Sequence, residues 1–336
     1  MFMEDATPTI ATICSHSALQ IFHGAKKVGL ETLGICTPER KELYSSFPQA
    51  SPDHFLIVDD FKEILKDEYQ EKLKEKNSVV IPHGSFVEYV GSEDLKNSFS
   101  VPVYGNKETL DWESDRSKER KWLRKSNIKR PRQYDDPSKI DGLSIVKLGG
   151  AKGGQGFFLV ESTEEYREKI KGVDEREVTI QEYIKGTRYY PHYFYSLLDE
   201  RLEILGIDRR DESNIDEYYR AGVGEKSFVV VGNKPLTVRE SLLPELYRMG
   251  KDLVKTSKEL FSPGLHGPFC LETICTPELQ FVTFEVSARI VAGTNLYPEG
   301  SPYSPYYYDE PMSTGKRLAL EIKKADGESR LDEIVS

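Results

Sequence analysis

The sequence predicts an α/β fold that is α+β in part, with a doubly wound parallel sheet at the N terminus and two α+β lobes after it. Two observations lead to this prediction. In the first third of the chain, short β-branched runs alternate with helical segments, which is typical of parallel strands joined by crossover helices. In the second half, strands follow strands across glycine-rich or proline-containing turns, which is typical of antiparallel pairs.

The predicted N-terminal sheet ends in two polar clusters. They are Ser15-His16-Ser17 and His83-Gly84-Ser85, and each directly follows a strand. Ligands of doubly wound sheets bind at the carboxyl ends of the strands. Helix caps and turns favour the same residue types, so each cluster taken singly is better explained as a cap. The predicted strands are 9–14, 32–36, 55–58 and 79–81, and the predicted helices are 19–29 and 61–76.

A basic segment opens the second part of the chain. Between Arg116 and Arg132, nine basic residues accompany a single acidic one, Glu119, and we predict a helix that stops before Pro131. A solvated face is the default interpretation of such a run. Contact between one or two of these cations and a phosphate group is the sharper alternative.

A glycine-rich loop joins two predicted strands, 143–147 and 157–160. Residues 149–156 contain five glycines, which let backbone N–H groups approach an anion closely. Because a strand follows, the loop is neither a Walker loop nor a Rossmann fingerprint, both of which open a helix. A tight turn is the plain alternative, but Lys147 and Lys152 favour phosphate binding.

Two glutamates lie on a predicted late hairpin, Glu272 on one strand and Glu285 on the other. A turn at 276–278 places them across from each other on one face. Two unneutralised carboxylates repel, so a divalent cation held with substrate phosphates fits this pair. The alternative is an edge pair in which each Glu is matched by an Arg such as Arg289. The other strands predicted in this half are 178–184, 189–197 and 202–207, and a long helix is predicted over 240–261.

Composition narrows the possible ligands and locations. The 336 residues include 46 basic and 56 acidic side chains, a net charge of −10 that disfavours nucleic acids and anionic membranes. The acidic start and the lack of a run of about 20 apolar residues lead us to expect neither a signal peptide nor a transmembrane segment, and the four cysteines are too few for a disulfide scaffold. We therefore expect buried thiols in a cytoplasmic protein. The polar C terminus from Ala325 is expected to fray.

The strand-end lysine, the glycine-rich flap, the segment Gln181–Ile184 and the paired acids together resemble the ATP-grasp superfamily. A series of further motifs, in order along nearly the whole chain, resembles the PurP family of archaeal formate-dependent FAICAR synthetases. These motifs are ATICSHS (11–17), PHGSF (82–86), GNK (105–107), WES (112–114), PHYFYS (191–196), ESNID (212–216), RESLL (239–243), GPFCL (267–271) and FEVSAR (284–289).

The resemblance implies a ligase in purine biosynthesis. ATP phosphorylates formate, and the 5-amino group of AICAR then attacks formyl phosphate to give FAICAR, ADP and phosphate. The implied domains are a Rossmann-like domain (1–113), a nucleotide lobe with the flap (114–200) and a C-terminal lobe with the metal-binding strands (201–336). Homo-oligomers are also expected.

The resemblance also assigns residues to each ligand. AICAR is bound by His16, Ser85 and Asn233, and Mg²⁺ or Mn²⁺ by Glu272 and Glu285. Arg289 and Glu285 are catalytic, with Arg289 expected on the strand face four residues after Glu285. The ATP-binding set is Lys121, Lys147, Gly153, Gly154, Gln155, Gly156, Gln181, Glu182, Tyr183, Ile184 and Glu212.

One departure keeps a second hypothesis open. The segment between Asn214 and Asn233 is short for the family, and its Tyr218–Lys226 stretch replaces the family's usual loop. A nucleotide-binding paralogue with weakened catalysis, acting as a sensor or partner subunit, is the alternative to the ligase. A third alternative is an ATP-grasp ligase with another small acid or amine.

Overall fold

The N-terminal sheet of the computed structural model contains only parallel strands, as predicted. Its apolar strands are covered on both sides, as parallel strands are. The structure describes residues 7–148, 156–172, 178–213 and 229–336. In space the order is β3-β2-β1-β4, where the strands are β1 (Thr9–Ile13), β2 (Thr32–Cys36), β3 (His54–Ile57) and β4 (Ser78–Val80).

Helices surround this sheet, and one predicted helix is divided. The predicted helix 61–76 is a 3₁₀ turn at Phe61–Leu65 followed by a separate α-helix, because Lys66 adopts an extended conformation between them. The Asp60 side chain caps the 3₁₀ turn by accepting from the Lys62 N–H. The helices are α1 (Ala18–Lys27), α2 (Pro38–Ser45), α3 (Asp67–Glu75), α4 (Ser92–Ser98) and α5 (Lys107–Ser114).

A small antiparallel sheet follows the basic helix α6 (Arg116–Lys125). This helix ends earlier than its predicted stop at Pro131, because Asn127 takes a left-handed conformation with φ of 52° just past the cap. Helix α7 (Thr163–Lys169) packs beside the sheet. The strands lie in the order β5-β8-β6-β7, with β5 (Gln133–Tyr134), β6 (Ser144–Lys147), β7 (Phe157–Val160) and β8 (Thr179–Glu182).

A larger antiparallel sheet positions most of the site. One of its faces is apolar and packs against helix α8 (Leu243–Leu260), with Tyr193, Phe269 and Val286 among the buried side chains. The opposite face carries a polar cluster beside apolar side chains such as Tyr190 and Cys270, and we call it the polar face. In space the order is β11-β10-β9-β12-β13, with β9 (Thr187–Ser196), β10 (Arg201–Glu212), β11 (Val230–Pro235), β12 (Gly267–Cys275) and β13 (Phe281–Ser287).

The C-terminal helices α9 (Thr314–Gly327) and α10 (Leu331–Ile334) return to the N-terminal sheet. Helix α9 packs closely on α1, where a Cβ on Gly24 would collide with the backbone of Lys316. The expectation of a fraying C terminus is wrong. The Val103 and Ser336 backbones exchange hydrogen bonds of 3.0 and 2.9 Å, and Ile334 is fully buried.

The predicted domain division remains a prediction. Its boundary after residue 200 falls in the turn between β9 and β10, which pair with each other in the same sheet. All four cysteines are buried and free, as expected of buried thiols. Within the described ranges, no helix is both long enough and apolar enough to cross a membrane.

Candidate active site

The polar face of the larger sheet carries both predicted metal ligands. Alternate residues of a strand share a face, so Asp208 and Arg210 point the same way along β10. Across the neighbouring strands, Arg210 pairs with Asn233 and Glu272 pairs with Glu285. The predicted cross-strand position of the two glutamates is therefore confirmed.

Glu272 is already neutralised by an arginine that sequence reasoning missed. Arg210 donates Nη1 and Nη2 to the two carboxylate oxygens at 2.9 and 2.8 Å, and the Ser287 hydroxyl adds a bond of 3.1 Å. Burial alone would lower the pKa of Arg210, but the Glu272 carboxylate raises it above the ordinary value. Arg210 belongs to no motif, and the alternate spacing of Asp208, Arg210 and Glu212 on one strand was the only signal for it.

Glu285 has no such partner. Part of the Glu285 side chain is exposed to solvent and part is packed among protein atoms. This burial raises the pKa of Glu285 to about 7, with Glu272 adding to the rise and Lys147 opposing it. Among the described residues no ion pair within 4.0 Å engages Glu285. Within the described ranges, the pair of glutamates therefore has one direct counter-ion, Arg210.

Lys147 brings the small sheet over the large one. It ends β6, and its Nζ lies 6.0 Å from the centroid of the Phe284 ring on β13. Burial lowers the pKa of Lys147, while Glu285 raises it and Arg116 of α6 lowers it further. A cation that is partly desolvated beside a carboxylate suits an incoming phosphate.

The remaining predicted ATP residues are divided between the two sheets. Gln181 is buried on β8, and Glu182 accepts from the Arg132 backbone N–H at 3.1 Å. Glu212, on β10, is buried and forms an ion pair with Arg188. Tyr183 and Ile184 are half-buried in the segment that joins β8 to β9. Gly156, at the end of the flap, has a φ of 70°. Three predicted flap residues, Gly153, Gly154 and Gln155, lie outside the described residues.

Lys121 is not brought to the other ATP residues by any described contact. It is exposed on α6, and its Nζ lies 5.7 Å from the centroid of the Trp112 ring. Arg116 in the first turn of the same helix is the cation near Lys147. If a cation of the basic segment contacts a phosphate group, Arg116 is therefore the candidate.

The two polar clusters of the N-terminal sheet meet at one site. His16 follows β1 with φ of 52°, and its ring stacks on His83 with centroids 5.2 Å apart and planes 4° apart. A Cβ on Gly84 would lie 2.8 Å from Nε2 of His16, so only glycine fits there. His16 keeps some exposure to solvent, but desolvation by the protein around it, with His83 and Arg289 nearby, lowers its pKa to about 2. The imidazole is therefore neutral.

His83 holds this cluster together. Its Nδ1 accepts from the Ser85 backbone N–H at 3.2 Å, so its Nε2 must be the atom that donates to the Ile13 carbonyl at 2.9 Å. Burial lowers the pKa of His83 to about 3. Ser85 is itself buried, and His83 holds its backbone N–H.

Arg289 reaches the same cluster from the other end of the chain. Strand β13 ends at Ser287, so the expected position of Arg289 on the strand face is wrong. Its guanidinium lies beside Gly84, and its Nε is 3.2 Å from Oε1 of Glu113. The sequence alternative in which Arg289 neutralises a metal-site glutamate is therefore corrected: Glu113 is its partner.

Two buried acids missed by the sequence fix the backbone around Arg289. Glu113 accepts from the Ala288 N–H at 2.8 Å, and Glu119 accepts from the Val286 N–H at 2.5 Å. Burial raises the pKa of both carboxyl groups. Glu119 is the one acidic residue of the basic segment, and the composition of that segment gives no sign that its side chain is buried.

Asn233 contacts the polar face through Asp208. Its Nδ2 donates to Oδ2 of Asp208 at 2.7 Å, and Nε2 of the buried His192 lies 2.7 Å from Oδ1. Asn233 is half-buried, opposite Arg210. The predicted AICAR ligands therefore occupy two places, His16 and Ser85 at the N-terminal sheet and Asn233 on the large sheet.

The residues present fit a divalent cation shared with a substrate. No group of three or more His, Cys, Asp or Glu side chains that could hold a metal alone exists in the described part of the chain. Mg²⁺, however, is commonly bound by one or two carboxylates together with phosphate oxygens and water. Such an ion would be a direct counter-ion for Glu285.

Comparisons with known proteins cover the whole chain. A domain of unknown function (DUF1297) matches residues 161–336, and a protein of unknown function (DUF1246) matches residues 10–134. The 5-formaminoimidazole-4-carboxamide-1-(beta)-D-ribofuranosyl 5'-monophosphate synthetase of Korarchaeum cryptofilum is 50% identical, covering 99% of this chain and 96% of its own length.

Solved structures agree with this relationship. The IMP biosynthesis protein PurP from Thermococcus kodakaraensis has a TM-score of 0.80 and 33% identity, covering 97% of this chain and 100% of that one. N5-carboxyaminoimidazole synthetase from Staphylococcus aureus, complexed with ADP, has a TM-score of 0.64 at 13% identity, covering 96% and 79%, and shares the ATP-grasp fold. The chain therefore belongs to the PurP family of 5-formaminoimidazole-4-carboxamide ribonucleotide synthetases.

Proposed function

We propose that this chain formylates AICAR to FAICAR with formate and ATP, releasing ADP and phosphate in purine biosynthesis. Its family membership supports this activity. The structural observation that carries the proposal is the glutamate pair on the polar face: Arg210 neutralises Glu272, while Glu285 forms no ion pair within 4.0 Å among the described residues. A carboxylate without such a direct counter-ion, beside Lys147, suits phosphoryl transfer.

ATP binds between the two antiparallel sheets in this proposal. Lys147 faces the phosphates, and the family resemblance assigns Gly153–Gly156 to the same ligand. Gln181–Ile184 and Glu212 contact the rest of the nucleotide. Glu272 and Glu285 would hold Mg²⁺ or Mn²⁺, which supplies charge neutralisation of the phosphate oxygens when bound.

The first step makes formyl phosphate. A formate oxygen attacks the γ-phosphorus, and the bond from that phosphorus to the β,γ-bridging oxygen breaks to release ADP. Arg289, held by Glu113, stabilises the transferred phosphoryl group and the oxyanion of the acyl phosphate. Arg210 fixes the orientation of the Glu272 carboxylate on the sheet face, because two of its nitrogens donate to that carboxylate.

The second step transfers the formyl group. The 5-amino nitrogen of AICAR attacks the formyl carbon, the bond from that carbon to the phosphate oxygen breaks, and the amine loses a proton. His16, Ser85 and Asn233 orient the nucleotide. Because the pKa of His16 is lowered to about 2 by desolvation, it acts here as a neutral hydrogen-bonding group and not as a cation.

The test is a three-substrate assay that follows both ADP and FAICAR by chromatography. We expect ADP release to depend on formate and on AICAR, with one FAICAR formed per ADP. ADP release that ignores either substrate would overturn the assignment. Nucleotide binding in calorimetry without any product would favour the paralogue alternative. A cytoplasmic location and a homo-oligomeric state remain predictions from the sequence.

A further inference from the structure

Three polar side chains, His192, Asp208 and Asn233, form a connected network on the polar face of the large sheet. Asp208 and His192 are almost completely buried, and their contact joins Nε2 of His192 to Oδ1 of Asp208 at 2.7 Å. Oδ2 of Asp208 accepts from Nδ2 of Asn233 at 2.7 Å. A Cβ on Gly293 would lie 2.8 Å from Nε2 of His192, so the network is packed without room to shift.

The chemistry of the carboxylate determines which way the Asn233 amide faces. An ionised Asp can only accept hydrogen bonds, so the NH₂ end of Asn233 must face it. Among the described groups, Nδ1 of His192 has no hydrogen-bond partner, so Nε2 is the ring nitrogen that donates to Asp208. Asp208 therefore receives two N–H groups, and none of the described residues donates a hydrogen bond to the Asn233 side-chain carbonyl oxygen.

That oxygen belongs to a residue on the ligand face. Asn233 lies directly across from Arg210, on the face that carries Glu272. We propose that Asp208 is a positioning residue: it orients Asn233 so that its carbonyl oxygen accepts from an N–H of the amino-carboxamide group of AICAR. The inference rests on the proposed function, since that function makes AICAR the ligand.

The first experiment exchanges the charge for an amide with Asp208→Asn. To keep the bond from His192, the new amide must present its oxygen to that ring and its NH₂ to Asn233, which turns Asn233 over. The NH₂ group of Asn233 then faces an N–H group of AICAR, and two hydrogen-bond donors cannot bond to each other. We expect the Kd for AICAR in calorimetry to rise at least about tenfold, with the Kd for ATP changed less than about twofold.

A swap separates orientation from stability. In the double variant Asp208→Asn/Asn233→Asp, the amide donates to the new carboxylate, whose second oxygen still accepts from AICAR. We expect its Kd for AICAR to return to within about threefold of wild type. Asn233→Asp alone, which places two carboxylates together, should bind at least as weakly as Asp208→Asn.

A matched control is available on the same strand. Asp211 lies on β10 and pairs with Lys234 at 3.1 Å, so Asp211→Asn makes the same chemical change and should leave the Kd for AICAR unchanged. Thermal denaturation checks that each variant is folded. Should Asp208→Asn not fold, Asn233→Ala, at a half-buried position, must show the same loss of AICAR binding.

The outcomes separate the positioning role of Asp208 from the proposed formylation of AICAR. An unchanged Kd for AICAR in Asp208→Asn or in Asn233→Ala overturns the positioning role, and so does a swap variant that binds no better than Asp208→Asn. Wild-type protein that binds AICAR but forms no FAICAR overturns the proposed activity and leaves the positioning role standing. Wild-type protein that does not bind AICAR overturns both.

Discussion

The two faces of the larger sheet are formed by the same strands, but one face packs in the core and the other carries the candidate site. One face packs Tyr193, Phe269 and Val286 against α8, and these side chains are essentially inaccessible to water. The other face carries Arg210, Glu272 and Glu285. Because side chains alternate along a strand, adjacent residues on β13 lie on opposite faces, one packing in the core and the other available to a ligand.

This difference gives a way to separate stability from activity. On the apolar face the free energy comes from burial and depends on volume. On the polar face the groups are held in place by hydrogen bonds and are arranged for a ligand, at a cost in desolvation. Substitutions of neighbours in the chain are therefore expected to affect different measurements.

The largest effect is expected at Glu285. Glu285→Gln keeps the shape of the side chain but removes the charge that would hold the metal, so kcat should fall about a thousandfold, or about 4 kcal/mol in the transition state. The melting temperature should stay within about 2 °C of wild type, because the carboxylate makes no ion pair among the described residues. Steady-state FAICAR formation and thermal denaturation measure the two quantities. Turnover close to wild type would remove the metal role from Glu285.

The position of Glu285 could be predicted, but its neighbours in the site could not. A hairpin with a short turn fixes which residues oppose each other, so Glu272 and Glu285 were placed from the sequence alone. Arg210 lies 62 positions from Glu272, and Glu119 lies 167 positions from Val286. Contacts between such distant segments depend on the packing of separate elements, for which the local sequence has no signal.

The same reason explains the errors in the fold. Strand and helix periods predicted the three sheets in outline, because they are local patterns. The C terminus was expected to fray because residues 325–336 are polar, whereas its strand-like contact with Val103 comes from the other end of the chain. Arg289 was placed by counting along a strand that ends two residues earlier, where the chain turns toward Gly84.

The next effect should come from breaking the Arg210–Glu272 pair. Arg210→Met leaves a buried carboxylate without its counter-charge, so the free energy of unfolding should fall by about 3 kcal/mol. Adding Glu272→Gln should recover about half of this loss, because a neutral amide needs no counter-charge. Urea unfolding of the two single variants and the double variant measures the coupling. Strictly additive losses would mean that the pair contributes no coupling to stability.

A smaller effect is expected on the apolar face, immediately beside Glu285. Val286 is fully buried, and Val286→Ala removes packed methyl groups, so the free energy of unfolding should fall by about 2 kcal/mol. The kcat at 25 °C should stay within about twofold of wild type. This variant is the counterpart of Glu285→Gln, and a loss of kcat as large as in that variant would contradict the division of the two faces.

The smallest effect concerns the N-terminal cluster and appears only at low pH. The pKa of His83 is lowered by burial to about 3, so below pH 6.5 the unfolded chain binds a proton that the folded chain does not. Stability contributed by neutral His83 is therefore present above pH 6.5 and is lost as the pH falls. At pH 5.5 the loss in the free energy of unfolding is about 1.4 kcal/mol.

The substitution His83→Gln tests this pH dependence. Gln can still donate to the Ile13 carbonyl, so the variant should reduce the change in unfolding free energy between pH 7.5 and 5.5 by about this amount, as measured by urea titrations. His16 titrates with the same sign and is present in both proteins, so the difference between them isolates His83. Equal pH dependence in the two proteins would show that His83 is not held neutral in the fold.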